Sequence, residues 1–252
     1  MSFLTDWENT FGMIDWENTP RMDIKKTIEQ FHQSGVDVNV KSIWDRAALH
    51  DAAYFGLAEV VKDLISYGAT VDIKDISKET PLMKAALNGH TYVIDLLIKS
   101  GADVNVQNQN GLTPLMYAAM DDFESSASKL IEAGANINTQ DEEGWTALKL
   151  AAWWGNTETV DLLIASKADP NLQNKDGNTA LMDASFWGYT DIVEKLINYG
   201  ADVNIKNNKG ETAADMARNW EIGDLISNAS ATPKKIAKRK VKKSKESDKQ
   251  YE

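Results

Sequence analysis

The chain has 252 residues, with 38 acidic and 27 basic side chains, a net charge of −11 and no cysteine. No apolar run approaches the ~20 residues that a membrane-spanning helix requires, and no basic start followed by an apolar block marks a secretory signal. The absence of cysteine excludes disulfides, thiolate metal sites and a cysteine nucleophile, and it fits a reducing, cytoplasmic setting.

Residues 1–22 read as a leader containing a doublet: Asp6-Trp7-Glu8-Asn9-Thr10 returns as Asp15-Trp16-Glu17-Asn18-Thr19. Phe3, Leu4, Trp7, Phe11 and Ile14 could share one helical face. Such a leader is expected to cap the first layer of a repeat array, whose end units need shielding. A short docking motif is the alternative.

From residue 23 a period of 33 residues takes over. Gly101-Ala102-Asp103 recurs as Gly35-Val36-Asp37, Gly68-Ala69-Thr70, Gly134-Ala135-Asn136, Lys167-Ala168-Asp169 and Gly200-Ala201-Asp202. Thr80-Pro81-Leu82 keeps the same step as Thr113-Pro114-Leu115, Thr146-Ala147-Leu148, Thr179-Ala180-Leu181 and Thr212-Ala213-Ala214, and it fades to Ala47-Ala48-Leu49 one step earlier. An alanine pair follows at 52/53, 85/86, 118/119 and 151/152, then Ala184-Ser185.

One unit shows why. Thr80 is a natural helix N-cap and Pro81 suits the first helical position. Ala85-Ala86 lets neighbouring helices approach closely, and Gly89 ends the first helix. Tyr92, Val93, Leu96 and Leu97 then make the apolar stripe of a second helix. Gly101 supplies a C-terminal stop. No unit can bury its apolar face alone, so stacking is what folds the array.

These residues resemble the ankyrin repeat, whose Thr-Pro-Leu-His pattern and 33-residue period they match. His50 is the one place where the family's histidine stands; Met83, Met116, Lys149 and Met182 replace it elsewhere. The resemblance implies an all-α solenoid of helix-turn-helix units joined by β-hairpin-like turns. It would comprise a half-repeat (23–41), five full repeats (42–74, 75–107, 108–140, 141–173, 174–206) and a C-terminal cap (207–229), a domain spanning 23–229. The turn residues Asn39, Asn105, Asn138, Asn171 and Asn204 are accounted for by hydrogen bonds to nearby backbone.

Departures from the pattern carry expectations of their own. Lys167 and Asp122 stand where other units have glycine. Ser126, Ala127 and Lys129 replace the apolar residues of the preceding unit, which should make the third full repeat the weakest.

The resemblance also implies that partners meet the turns and the inner helices, on the concave side. Two positions after each alanine pair face that groove: Tyr54-Phe55, Leu87-Asn88, Met120-Asp121, Trp153-Trp154, Phe186-Trp187 and Asn219-Trp220. Trp154, Trp187 and Trp220 thus fall in one column, and Trp145 lies on the turn feeding it. Tryptophan is enriched at interaction hot spots; the alternative is that these rings pack on each other and on the cap. Asp45, Glu142, Glu143 and Asp176 on turns, with Asp51, Asp121 and Asp183 on or near inner helices, would favour a partner segment that is apolar with Lys or Arg.

The last segment, 230–252, is expected to be a basic disordered tail. Residues 233–252 carry nine Lys or Arg against three acids, a net +6, which leaves −17 on residues 1–232. Lys234, Lys235, Lys238, Arg239, Lys240, Lys242 and Lys243 could contact nucleic acid or an anionic surface, or act as a nuclear-import signal in a eukaryote. No catalytic constellation, phosphate loop or metal-ligand spacing is present, so neither an enzyme nor a cofactor is expected. A protein-binding scaffold is the leading reading; a factor associated with nucleic acid or chromatin through the tail, or an inhibitory module covering an enzyme, is the alternative.

Overall fold

The computed structural model describes residues 14–231. The first copy of the doublet and the basic tail cations lie outside those residues.

A single helix, α1 (Arg21–Gln33), opens the array. Five helix pairs follow: α2 (Ala48–Tyr54) with α3 (Ala58–Ser66), α4 (Pro81–Leu87) with α5 (Thr91–Lys99), α6 (Pro114–Met120) with α7 (Glu124–Glu132), α8 (Ala147–Trp154) with α9 (Thr157–Ala165), and α10 (Ala180–Trp187) with α11 (Thr190–Asn198). Helix α12 (Trp220–Ala231) closes it, and no strand occurs among the described residues. The first helices of the pairs stack on one another as an inner layer, and the second helices stack as an outer layer.

Helices of seven to nine residues are too short to persist alone in water, where about 12–15 are needed. Capping and burial supply the difference. The hydroxyls of Thr80, Thr113, Thr146 and Thr179 accept from the N–H of Met83, Met116, Lys149 and Met182 at 3.2–3.4 Å. Ala47 has no hydroxyl to offer, and the His50 ring fills in. Its Nδ1 accepts the Ala47 N–H at 3.1 Å, and its Nε2–H donates to the Glu79 carbonyl at 3.1 Å. The alanine pairs are fully buried, which is where the two layers need the smallest side chains.

Between pairs the chain makes a hairpin whose loop is held by one polar side chain. The Oδ1 atoms of Asp75, Asn108, Asp141, Asn174 and Asn207 each accept the backbone N–H two and four residues on; Ser42 Oγ does this in the first hairpin. Neighbouring tips are joined by backbone bonds of 2.9–3.0 Å: Ile76 to Trp44, Gln109 to Ser77, Glu142 to Asn110, Lys175 to Glu143 and Asn208 to Asp176. Of the five turn asparagines only Asn204 has a local side-chain bond, to Asp202 Oδ1 at 3.3 Å; the other four bond across units rather than locally as the sequence suggested. Asn39, Asn105, Asn138 and Asn171 accept the backbone N–H of Thr70, Asn136, Asp169 and Asp202, in the next unit. They are mortar between repeats.

The third unit buries Ser126, Ala127 and Leu130 where its predecessor buries Val93, Ile94 and Leu97. Polar bonds tie it to both sides: Ser126 meets the Thr91 hydroxyl at 2.9 Å, and Asp122 accepts from the Thr159 hydroxyl at 2.8 Å. Four residues at glycine positions adopt the left-handed conformation: Asp122 at φ 56° and Lys167 at φ 71°, and Asp45 at φ 56° and Lys78 at φ 59° where later hairpins have Gly111, Gly144, Gly177 and Gly210.

The closing unit departs from the repeat. Residues 213–216 form one turn and no inner helix. The Arg218 N–H donates to the Ser185 carbonyl at 3.0 Å, and Asn219 Oδ1 caps α12 by accepting from the Ile222 N–H at 3.0 Å. Tyr189 holds the same N-cap position ahead of α11, 30 residues earlier rather than 33. The step is three residues short, so Trp220 matches Thr190 and starts an outer helix. It does not continue the column of Trp154 and Trp187.

Candidate partner-binding surface

The inner helices end within the residue pairs that follow the alanine pairs, and the largest rings gather on α8 and α10. Trp145 meets Trp153 edge-on at 5.4 Å. Trp153 meets Trp187 edge-on at 5.0 Å and stacks over Phe186 at 6.4 Å, while Phe186 and Trp187 are edge-on at 5.2 Å. These are the offset and T-shaped arrangements that aromatic quadrupoles favour. Self-packing therefore accounts for part of the ridge, and Trp145 and Trp153 are half-buried by it. The remainder stays open: Trp154 is 58 %, Phe186 46 % and Trp187 36 % exposed. Tyr54 and Phe55, edge-on at 5.0 Å, form a smaller pair at the end of α2. Trp220 is 80 % exposed at the start of α12, away from this column.

The acidic residues divide into two sets. Asp45, Asp121, Glu142, Glu143 and Asp176 are exposed, and Glu143 pairs with Lys175 at 3.1 Å. Asp51 and Asp183 are buried and neutralised within the fold, Asp51 by Arg46 and Asp183 by Lys149 at 2.5 Å. Neither can steer a partner as the sequence suggested.

Lys149 is itself 1 % exposed. Its Nζ also donates to the Asn178 carbonyl at 2.8 Å and lies 5.0 Å from the centre of the Trp145 ring. Burial pulls the Lys149 ammonium below its ordinary range against the pull of Asp183, and burial pushes the Asp183 carboxyl up to about 6 despite Lys149. A second polar network links the two preceding units: Lys84 bridges Asp75 and Glu79, and the Tyr117 hydroxyl donates to Glu79 and accepts from Asn108.

Sequence reasoning missed Ile43, Trp44 and Ile76, which are 56 %, 60 % and 58 % exposed on the first two hairpin tips. The recurring Ser or Asx at 42, 75 and 108 was the available signal: residues just after it sit on a loop tip whatever their polarity. Among the described residues no group of three or more His, Cys, Asp or Glu could hold a metal ion, and no helix is long and apolar enough to cross a membrane.

The family profile for ankyrin repeats in three copies matches residues 22–108, 94–174, 115–207 and 157–221, which together span most of the chain. The chain belongs to the ankyrin-repeat family. Among solved structures it resembles the ankyrin repeat domain of Bcl-3, described as a unique member of the IkappaB protein family. The match has 25 % identity and a TM-score of 0.73, covering 89 % of this chain and 97 % of that one. No curated protein sequence matches. Ankyrin repeats generally mediate binding to other proteins, but 593 solved chains match this structure, so the fold alone names no partner.

Proposed function

We propose that this ankyrin-repeat protein is a non-enzymatic scaffold that holds a segment of another protein in the groove, anchored on the aromatic ridge of α8 and α10. The observation that carries the reading is the exposure of Trp154, Phe186 and Trp187 at the ends of α8 and α10, with Phe186 and Trp187 packed against the partly buried Trp153 and Trp153 against Trp145. Half-buried rings give the surface rigidity, and exposed rings give it contact area at small entropic cost, the combination found at binding hot spots. Apolar side chains of the partner would cover the rings, and Asp121 and Glu142 offer exposed carboxylates to its Lys or Arg.

The test is an affinity capture from source-cell lysate comparing the wild type with Trp154→Ala/Trp187→Ala, after the two are matched for thermal stability. A partner retained by the wild type and lost by the variant is the expected result. Full retention of every partner by the variant would remove the ridge from consideration.

A further inference from the structure

We propose that the buried Lys149–Asp183 ion pair is the positioning element of the aromatic ridge: it clamps α8 to α10 behind the rings and sets their mutual geometry. The inference rests on the binding role of the ridge proposed above.

Both residues lie directly behind the rings. On α8, Trp153 follows Lys149 by four residues; on α10, Phe186 and Trp187 follow Asp183 by three and four. Those spacings put each charged residue on the same helical face as the rings and one turn behind them. The pair spans the two helices at 2.5 Å, and the fourth ring, Trp145, lies against the Lys149 ammonium. One charged group therefore touches the hairpin ring and the neighbouring helix together.

Nothing about stacking requires charge at either position. Three other units place Met83, Met116 and Met182 where the fourth has Lys149, each 1 % exposed. The unit before Asp183 has Leu150 at the matching position. An apolar pair fits this architecture, and replacing a buried ion pair by apolar residues of similar volume is often neutral or stabilising. What an apolar pair lacks is direction. A lysine held by a carboxylate, a carbonyl and a ring face has one placement, whereas methionine adapts to whatever surrounds it.

The experiment compares wild type with Lys149→Met/Asp183→Leu, which installs residues this protein already uses at those two positions. Denaturant unfolding and the tryptophan bands of near-ultraviolet circular dichroism are recorded for both. The expected result is an unfolding midpoint equal to or above that of the wild type, with loss of the coupled-tryptophan bands. Bands superimposable on those of the wild type would overturn the proposal, and so would a folded variant with a clearly lower midpoint. If the double variant does not fold, Asp183→Asn, which keeps the side-chain shape, is judged by the tryptophan bands alone, because leaving Lys149 without its counter-charge lowers the midpoint in either case. The spectrum needs no partner, so this result stands apart from the capture experiment that tests the binding role.

Discussion

Lys167 and Asp122 show how differently one substitution can be tolerated. Each occupies a left-handed position where glycine is the ordinary choice, and a residue with a Cβ carries about 1–2 kcal/mol of strain there. Lys167 gains nothing visible in exchange, and the space around the equivalent Gly68, Gly101, Gly134 and Gly200 is open. Lys167→Gly is therefore expected to raise stability by about 1 kcal/mol, read as a higher denaturant midpoint with an unchanged slope. A lower midpoint would mean that the lysine makes a contact of its own. Asp122→Gly should bring no such gain, because the released strain is offset by loss of the bonds to Thr159. His50 predicts a pH effect. Its burial holds the ring neutral, with the pKa lowered from 6.5 to about 4, so the folded state binds fewer protons than the unfolded state between those values. The stability it contributes is complete above pH 6.5 and is lost as pH falls through about 4, on the order of 3 kcal/mol. The charged groups acting on the ring, Asp75 and Lys84, stay in place in His50→Met, so comparing that variant with the wild type isolates the ring. A wild-type acid slope that survives the substitution would assign the effect elsewhere.

At the scale of helices and hairpins, α7 is the element to watch. It brings serine and alanine to the core where α5 brings valine and isoleucine, and less apolar burial means a lower local opening energy. Amides of α7 are expected to exchange faster than those of α5 in native-state hydrogen exchange; equal protection would show that the bonds through Ser126 and Asp122 make up the difference. This contrast was legible in the sequence, because a fixed period lets one unit be read against another. The same habit of counting misplaced Trp220. Thr212 starts the last unit in register, and nothing in Ala217, Arg218 or Asn219 announces that a single turn replaces the inner helix. The Arg218 bond to Ser185 and the Asn219 cap, 30 residues after Tyr189, show the lost residues. Asp51 and Asp183 were misread for a related reason: the period locates a residue on a helix, but whether a carboxylate meets water or a buried cation depends on Arg46 or Lys149 in the folded stack.

For the molecule as a whole, fold and family were legible because each unit repeats the same capping, packing and turn chemistry, and agreement among these levels is what specifies a structure. The aromatic ridge was legible as a composition; its division into a packed base and an open surface required the ring geometry. The hairpin tips, joined bond by bond from Trp44 to Asp176 and Asn208, have a further consequence. Those bonds hold each unit at a constant offset from the next, near the ~8–10 Å that separates packed helices. The molecule is in effect a ruler. A partner laid along the groove as an extended strand, rising ~3.3 Å per residue, would reach a fresh graduation about every third residue. Side chains spaced to that rhythm would engage several units together, and a partner with any other spacing would be confined to one or two.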